Sequence, residues 1–277
     1  MNRRCLPVLF ALVLLPLFAA AASAQVIFRM DYSSAAYPNG GWSWGANPES
    51  AHFTRQLLAG GGPNGSNAIL VHHIPNDPMG QFYWGWSGYV ESSNPPAGAV
   101  RYYRWRMFFP TNTNFSGREL GAVVNKLLII GDGCGERCRV IVTYGPRTGM
   151  TDVNLSVQID GGVDPISVAN LPKGQWLNIQ IEVRAGSGNG GYKLWVNNNN
   201  YSSPSAQIGN IQLEAREWGL VKFGAYCNAN LASNGVHDWR HANFEVASAF
   251  DANWNSGGGG GGPTPPSTVT GVRVVTP

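Results

Sequence analysis

Apolar positions along this chain recur with a period of two, the spacing at which a strand sends successive side chains to opposite faces. In 101–110, RYYRWRMFFP, Tyr103, Trp105, Met107 and Phe109 form one large apolar face, and Tyr102, Arg104 and Arg106 form the other. In 152–160, Val153, Leu155, Val157 and Ile159 alternate with Asn154, Ser156, Gln158 and Asp160. In 176–184, Leu177, Ile179, Ile181 and Val183 alternate with Asn178, Gln180, Glu182 and Arg184. In 219–228, Val221, Phe223, Ala225 and Cys227 oppose Lys222, Gly224, Tyr226 and Asn228. The same reading predicts strands over 26–32, 52–58, 68–74, 81–89, 101–109, 126–130, 139–144, 152–160, 176–184, 191–196, 219–228 and 240–247. PNGG at 38–41, GGGPNGSN at 60–67, NPPAG at 94–98 and GSGNGG at 186–191 read as connections. The best helical window, 211–218, is only about two turns long. Short strands with polar turns and no helices predict an all-β sandwich or jelly roll.

The polar faces are rich in Asn, Gln, Arg, Lys and Tyr. Such a face is either a solvated outer sheet or a concave sheet that holds a ligand. The basic and aromatic side of 101–110 predicts one wall of a groove for an anionic or sugar-like ligand, with ordinary solvated charge as the alternative for Arg104 and Arg106.

Composition sharpens the class. With 36 Gly, 18 Pro and 11% aromatic residues, the chain has the punctuation of many tight turns. Residues 1–24 carry Arg3 and Arg4, an apolar run over 6–22 and Ala22-Ser23-Ala24, the layout of a secretory signal peptide. The expectation is a secreted, extracellular or periplasmic protein with no membrane partner after cleavage. One domain over 25–254 and a Gly/Pro-rich tail over 255–277 complete the expected organisation. Removing the leader takes two of the 19 Lys+Arg and none of the 16 Asp+Glu, so 17 minus 16 leaves +1. That near-neutrality argues against nucleic acid as a partner, and a monomer is expected. Cys134 and Cys138, in GCGERC, could close a small loop disulfide in an oxidising compartment. Cys227 reads as a small core residue. Soft ligands for zinc are not clustered, and neither a metal nor a cofactor is expected.

The succession GYKLWVNNN, WGLVKFGAYCN, DWRHANFEVAS resembles the concanavalin A-like lectin/glucanase jelly roll of secreted polysaccharide lyases, glucanases and lectin-like modules, over about 26–250. The resemblance implies a curved sheet holding an oligosaccharide in a concave cleft, with 101–110 as one of its strands. The Glu-x-Asp-x-x-Glu strand of the glucanases has no match here; Glu214 and Glu217 lie off the strand pattern. LVKFGAYCN at 220–228 is similar to the alginate lyase motif Tyr-Phe-Lys-Ala-Gly-x-Tyr-x-Gln, with Lys222, Gly224 and Tyr226 on matching positions and Asn228 in place of Gln. The family's Gln-Ile-His strand is echoed only in Gln158-Ile159-Asp160, without the His. Its Arg-Ser/Thr-Glu-Leu-Arg strand is missing, GREL at 117–120 falling in an expected loop.

β-Elimination on a uronic acid removes a weakly acidic proton beside a carboxylate. The carboxylate must be neutralised, and a Tyr or His must take the proton and return one to the leaving oxygen. Arg104, Arg106, Lys222, Gln158 and Asn228 suit the first role and Tyr226 the second, with His241 as its partner and His72 and His73 as outsiders. Tyr102 would line the same cleft. Indole rings stack on sugar faces, and two pairs are candidates: Trp42 with Trp44, and Trp84 with Trp86, one pair expected in the core and the other partly exposed. These features predict a polysaccharide lyase acting on acidic glycans. A lectin-like module without turnover is the alternative, and a structural or adhesion protein a more remote one.

Overall fold

The computed structural model describes residues 25–30, 32–33, 42–44, 53–73, 82–90, 95–96, 98–113, 125–131, 137–145, 153–160, 163–216, 218–228 and 238–254. For 42–44, 53–55, 73, 82–90, 125, 145, 163, 220 and 225–228 the description is of backbone and register only.

Among the described residues fifteen strands follow in order: β1 (Val26–Arg29), β2 (Trp42–Trp44), β3 (Phe53–Leu58), β4 (Ala68–His73), β5 (Phe82–Val90), β6 (Val100–Phe108), β7 (Asn125–Ile130) and β8 (Val140–Gly145). Then come β9 (Asn154–Ile159), β10 (Val163–Val168), β11 (Trp176–Arg184), β12 (Gly186–Val196), β13 (Ala206–Leu213), β14 (Leu220–Asn228) and β15 (Trp239–Ala247). The first sheet has the order β13-β12-β11-β6-β15-β4-β3, with β1 also paired to β15. The second has the order β10-β9-β8-β7-β14-β5-β2. Every pairing in both sheets is antiparallel.

The predicted apolar faces are the core. Tyr103, Trp105, Met107, Leu177, Ile179 and Ile181 of the first sheet are fully buried, as are Val140, Val142, Val157 and Phe223 of the second. Phe223 stacks on Phe244 at 4.1 Å and meets Trp105 edge-on at 5.7 Å, which ties the two sheets together at the centre. Burying such side chains contributes about 1.5–3 kcal/mol each.

Three strands were not expected: β2, β10 and β13. Each lies at a sheet edge, where one flank is unpaired and the apolar alternation has less to satisfy. Pro165 sits in β10, a position an edge strand tolerates because a missing N–H costs no ladder bond on the open side. The weak helical window at 211–218 begins inside β13. GSGNGG is not a connection but the start of β12. Its glycines are needed where β13 comes close: a Cβ on Gly191 would lie 2.3 Å from the Ile208 carbonyl oxygen.

Candidate functional site

Lys222 and Tyr226 lie on β14, in the second sheet. Cross-strand partners share a face, so the register builds that face row by row. Lys222 pairs with Ile129, Ile129 with Ile141, and Ile141 with Gln158. Tyr226 pairs with Lys126, Lys126 with Thr143, and Thr143 with Ser156. On the other flank Tyr226 is opposite Trp84, Gly224 opposite Trp86, and Asn228 opposite Phe82. The structure therefore brings Lys222, Gln158, Tyr226 and Asn228 to one face of one sheet, the face opposite the core positions Val221 and Phe223.

At about 4.8 Å per strand, Lys222 and Gln158 stand roughly 14 Å apart, and at about 3.3 Å per residue Lys222 and Tyr226 stand roughly 13 Å apart along β14. These are spans for an extended ligand, not for one small molecule. Gly224, itself buried, lies midway between Lys222 and Tyr226 and carries no side chain. The described strands of this sheet contain one acidic residue, Asp164 on the edge strand β10, and no histidine. Lys126 and Lys222 are the basic residues that the described strands place on this face.

Lys126, Thr143 and Ser156 were not among the sequence candidates. Lys126 is the only charge in β7, but parity could not place it, because the register shifts between Lys126 and Leu128. Leu127 and Leu128 are both fully buried as a result.

Arg104, Arg106 and Tyr102 are elsewhere. They lie on the outer face of the first sheet, on the far side of the core from Lys222, and they are buried, not solvated charge. The chain after β15 doubles back over them as a strap, residues 248–254. Arg104 is 3% exposed, with Nε donating to Glu245 Oε2 at 2.8 Å and Nη1 lying 3.4 Å from Asp251 Oδ2. Arg29 Nε donates to the other Glu245 oxygen at 2.5 Å. Arg106 is 6% exposed and donates from Nη2 to the Trp254 carbonyl at 3.0 Å. The Trp254 ring covers both guanidinium groups, at 5.0 and 5.1 Å. Burial lowers the Arg106 pKa, with Glu245 and Asp251 opposing that shift. Tyr102 donates to Glu182 Oε2 at 2.7 Å and meets Phe250 of the strap edge-on. Burial and that carboxylate push its phenol well above the ordinary tyrosine value.

His241 is a core residue, whereas Tyr226 lies at an outer-face register position of β14. It is fully buried, 2.9 Å through Nδ1 from the Tyr32 hydroxyl, and packs edge-on against Phe223. A bulge in β15, with Asn243 at φ 56°, shifts the register between Ala242 and Glu245, so that His241 and Phe244 both enter the core. His72 pairs through Nδ1 with Asp238 at 2.5 Å on the first sheet, and His73 is on the same strand.

The tryptophan pairs fall at alternate positions. Trp84 and Trp86 are level with Tyr226 and Gly224, whereas Trp42 and Trp44 are level with Ser87 and Gly85. Cys138 is fully buried. Cys134 and residues 1–24 and 255–277 lie outside the described residues.

No protein-family model matches the sequence, and no curated protein matches it. Among solved structures the chain is similar to an endo-β-1,4-glucuronan lyase from the fungus Trichoderma reesei, with a TM-score of 0.52 at 13% identity, covering 82% of this chain and 97% of that one. The likeness is one of fold: two antiparallel sheets packed as a β-sandwich jelly roll. Also similar are an alginate lyase from a Chlorella virus (TM-score 0.49, 14% identity, 81% of this chain and 100% of that one) and a GH131 β-glucanase catalytic domain from Podospora anserina (TM-score 0.44, 13% identity, 76% and 86%). Within the jelly roll, then, the residues matching the lyase motif are on the second sheet, and the basic strand β6 is under the strap of the first.

Proposed function

We propose that this protein is a secreted polysaccharide lyase that cleaves uronic-acid glycans by β-elimination on the outer face of the second sheet. The observation that carries the reading is the register: Lys222, Gln158, Tyr226 and the additional Lys126 share that face, and no acidic residue of the described strands stands among them. In this reading Lys126, Lys222, Gln158 and Asn228 neutralise the uronate carboxylate, which makes the proton on the adjacent carbon more acidic. Tyr226 takes that proton and returns one to the glycosidic oxygen as the carbon–oxygen bond breaks and the carbon–carbon double bond forms. Trp84 and Trp86, level with Tyr226 and Gly224, supply stacking surface for neighbouring sugar rings. Secretion, a monomeric state and a Cys134–Cys138 disulfide belong to the same reading. The test is the ultraviolet absorbance of the unsaturated product with wild type and Tyr226→Phe.

One observation favours a lectin-like module instead. With His241 in the core and both β6 arginines under the strap, Tyr226 is the only sequence candidate for proton transfer left on that face among the described residues. Glycan retention without product absorbance would select this second reading.

A further inference from the structure

The β6 surface combines aromatic rings, an amide and two guanidinium groups, yet the reading above makes no use of it. Its occupant is the strap. Phe250 packs on Trp195 at 4.8 Å, Asp251 presents its carboxylate to Arg104, and the Trp254 ring lies over Arg104 and Arg106. A ring, a carboxylate and a second ring are the groups an acidic saccharide would bring to such a surface: flat faces for stacking and a carboxylate for a guanidinium.

The strap fills this surface imperfectly. Arg104 Nη1, Arg106 Nε and Trp254 Nε1 are buried donors without a hydrogen-bond acceptor, and Asn178 Oδ1, on the residue in register with Arg106, is a buried acceptor without a donor. Charge is unmatched as well. Glu245 and Asp251 face Arg29, Arg104 and Arg106, and Arg106 has no carboxylate within ion-pair distance among the described residues. Buried donors without acceptors are costly, so an occupant richer in acceptors than the strap has a thermodynamic advantage there.

We propose that the outer face of the first sheet around Arg104, Arg106 and Gln180 is a second binding site, for a carboxylate-bearing saccharide, which the strap occupies in the ligand's absence. It goes beyond the lyase reading, because it lies on the opposite side of the core and needs no turnover. Ligand and strap exclude one another, so apparent affinity is reduced by the fraction of time the strap is away.

Equilibrium binding of a defined polyuronate oligosaccharide to full-length wild type, Trp254→Ala and Trp254→Ala/Arg106→Gln tests this. Trp254→Ala is expected to bind about tenfold or more tightly than wild type, and the added Arg106→Gln to abolish the gain. Equal affinity of Trp254→Ala and wild type, with faster amide exchange over 248–254 showing the strap released, would overturn the site. Wild type supplies a check that needs no variant: at saturating oligosaccharide its strap amides should exchange faster. Unchanged or slower exchange there would also overturn it. Loss of product absorbance in Tyr226→Phe bears on the second sheet alone and leaves this binding difference unaffected.

Discussion

Gln180 and Asp251 hold each other twice: Gln180 Nε2 donates to the Asp251 carbonyl at 2.9 Å, and the Asp251 amide donates to Gln180 Oε1 at 3.1 Å. One side chain on β11 thus binds the strap backbone as a neighbouring strand would. Gln180→Ala removes both bonds and leaves the Asp251 amide without its partner, at a cost of about 1–3 kcal/mol. Urea denaturation should register that loss, and limited proteolysis should cut first within 248–254. A variant with unaltered stability and an uncut strap would show that this pair does not hold it.

Glu245 is the hinge of the charge network, since one carboxylate serves Arg104 and Arg29. Glu245→Gln leaves the Arg104 guanidinium buried with only the more distant Asp251 as counter-charge. Breaking a buried pair in this way costs about 3–5 kcal/mol. Arg29, a third exposed, is worth less, about 1 kcal/mol or below. Denaturation midpoints of Glu245→Gln and Arg29→Ala compare the two directly, and a larger loss from Arg29→Ala would contradict the assignment.

Alkaline pH should destabilise the fold. The phenols of Tyr32, Tyr102 and Tyr192 are each held well above the ordinary tyrosine value of 10.0, first by burial, with Glu182 reinforcing the shift at Tyr102 and Asp164 at Tyr192. Above that value the unfolded chain has released protons that the folded chain keeps. The stabilisation is therefore complete below it and falls as pH rises further. Thermal midpoints followed from about pH 8 to 11 should drop above about pH 10, and Tyr102→Phe should lessen the drop. A flat profile over that range would contradict the burial of these hydroxyls.

The two faces of β6 were legible in the sequence, and Tyr103, Trp105 and Met107 are core residues as the alternation requires. Which sheet β6 joins was not, because a period of two defines faces and says nothing about neighbours. The partner that buries Arg104, Glu245, is 141 residues away, and the strap that covers it, SAFDANW, has no periodicity to announce it. The alternation of Lys222, Gly224 and Tyr226 was legible because β14 pairs with β5 without a register shift. His241 was misplaced for the converse reason: it precedes a bulge at Asn243 that alternation cannot foresee. The edge strands β2, β10 and β13 escaped because, among the described strands, each pairs on one side only.

The central claim is elimination at Tyr226, and it is tested most directly by following ultraviolet absorbance of the unsaturated product while the purified protein acts on a panel of uronic-acid polysaccharides. The account predicts a rise on at least one of them, which Tyr226→Phe reduces by at least about a hundredfold with no change in thermal midpoint. No rise on any glycan, or a rise that Tyr226→Phe leaves intact, would contradict it.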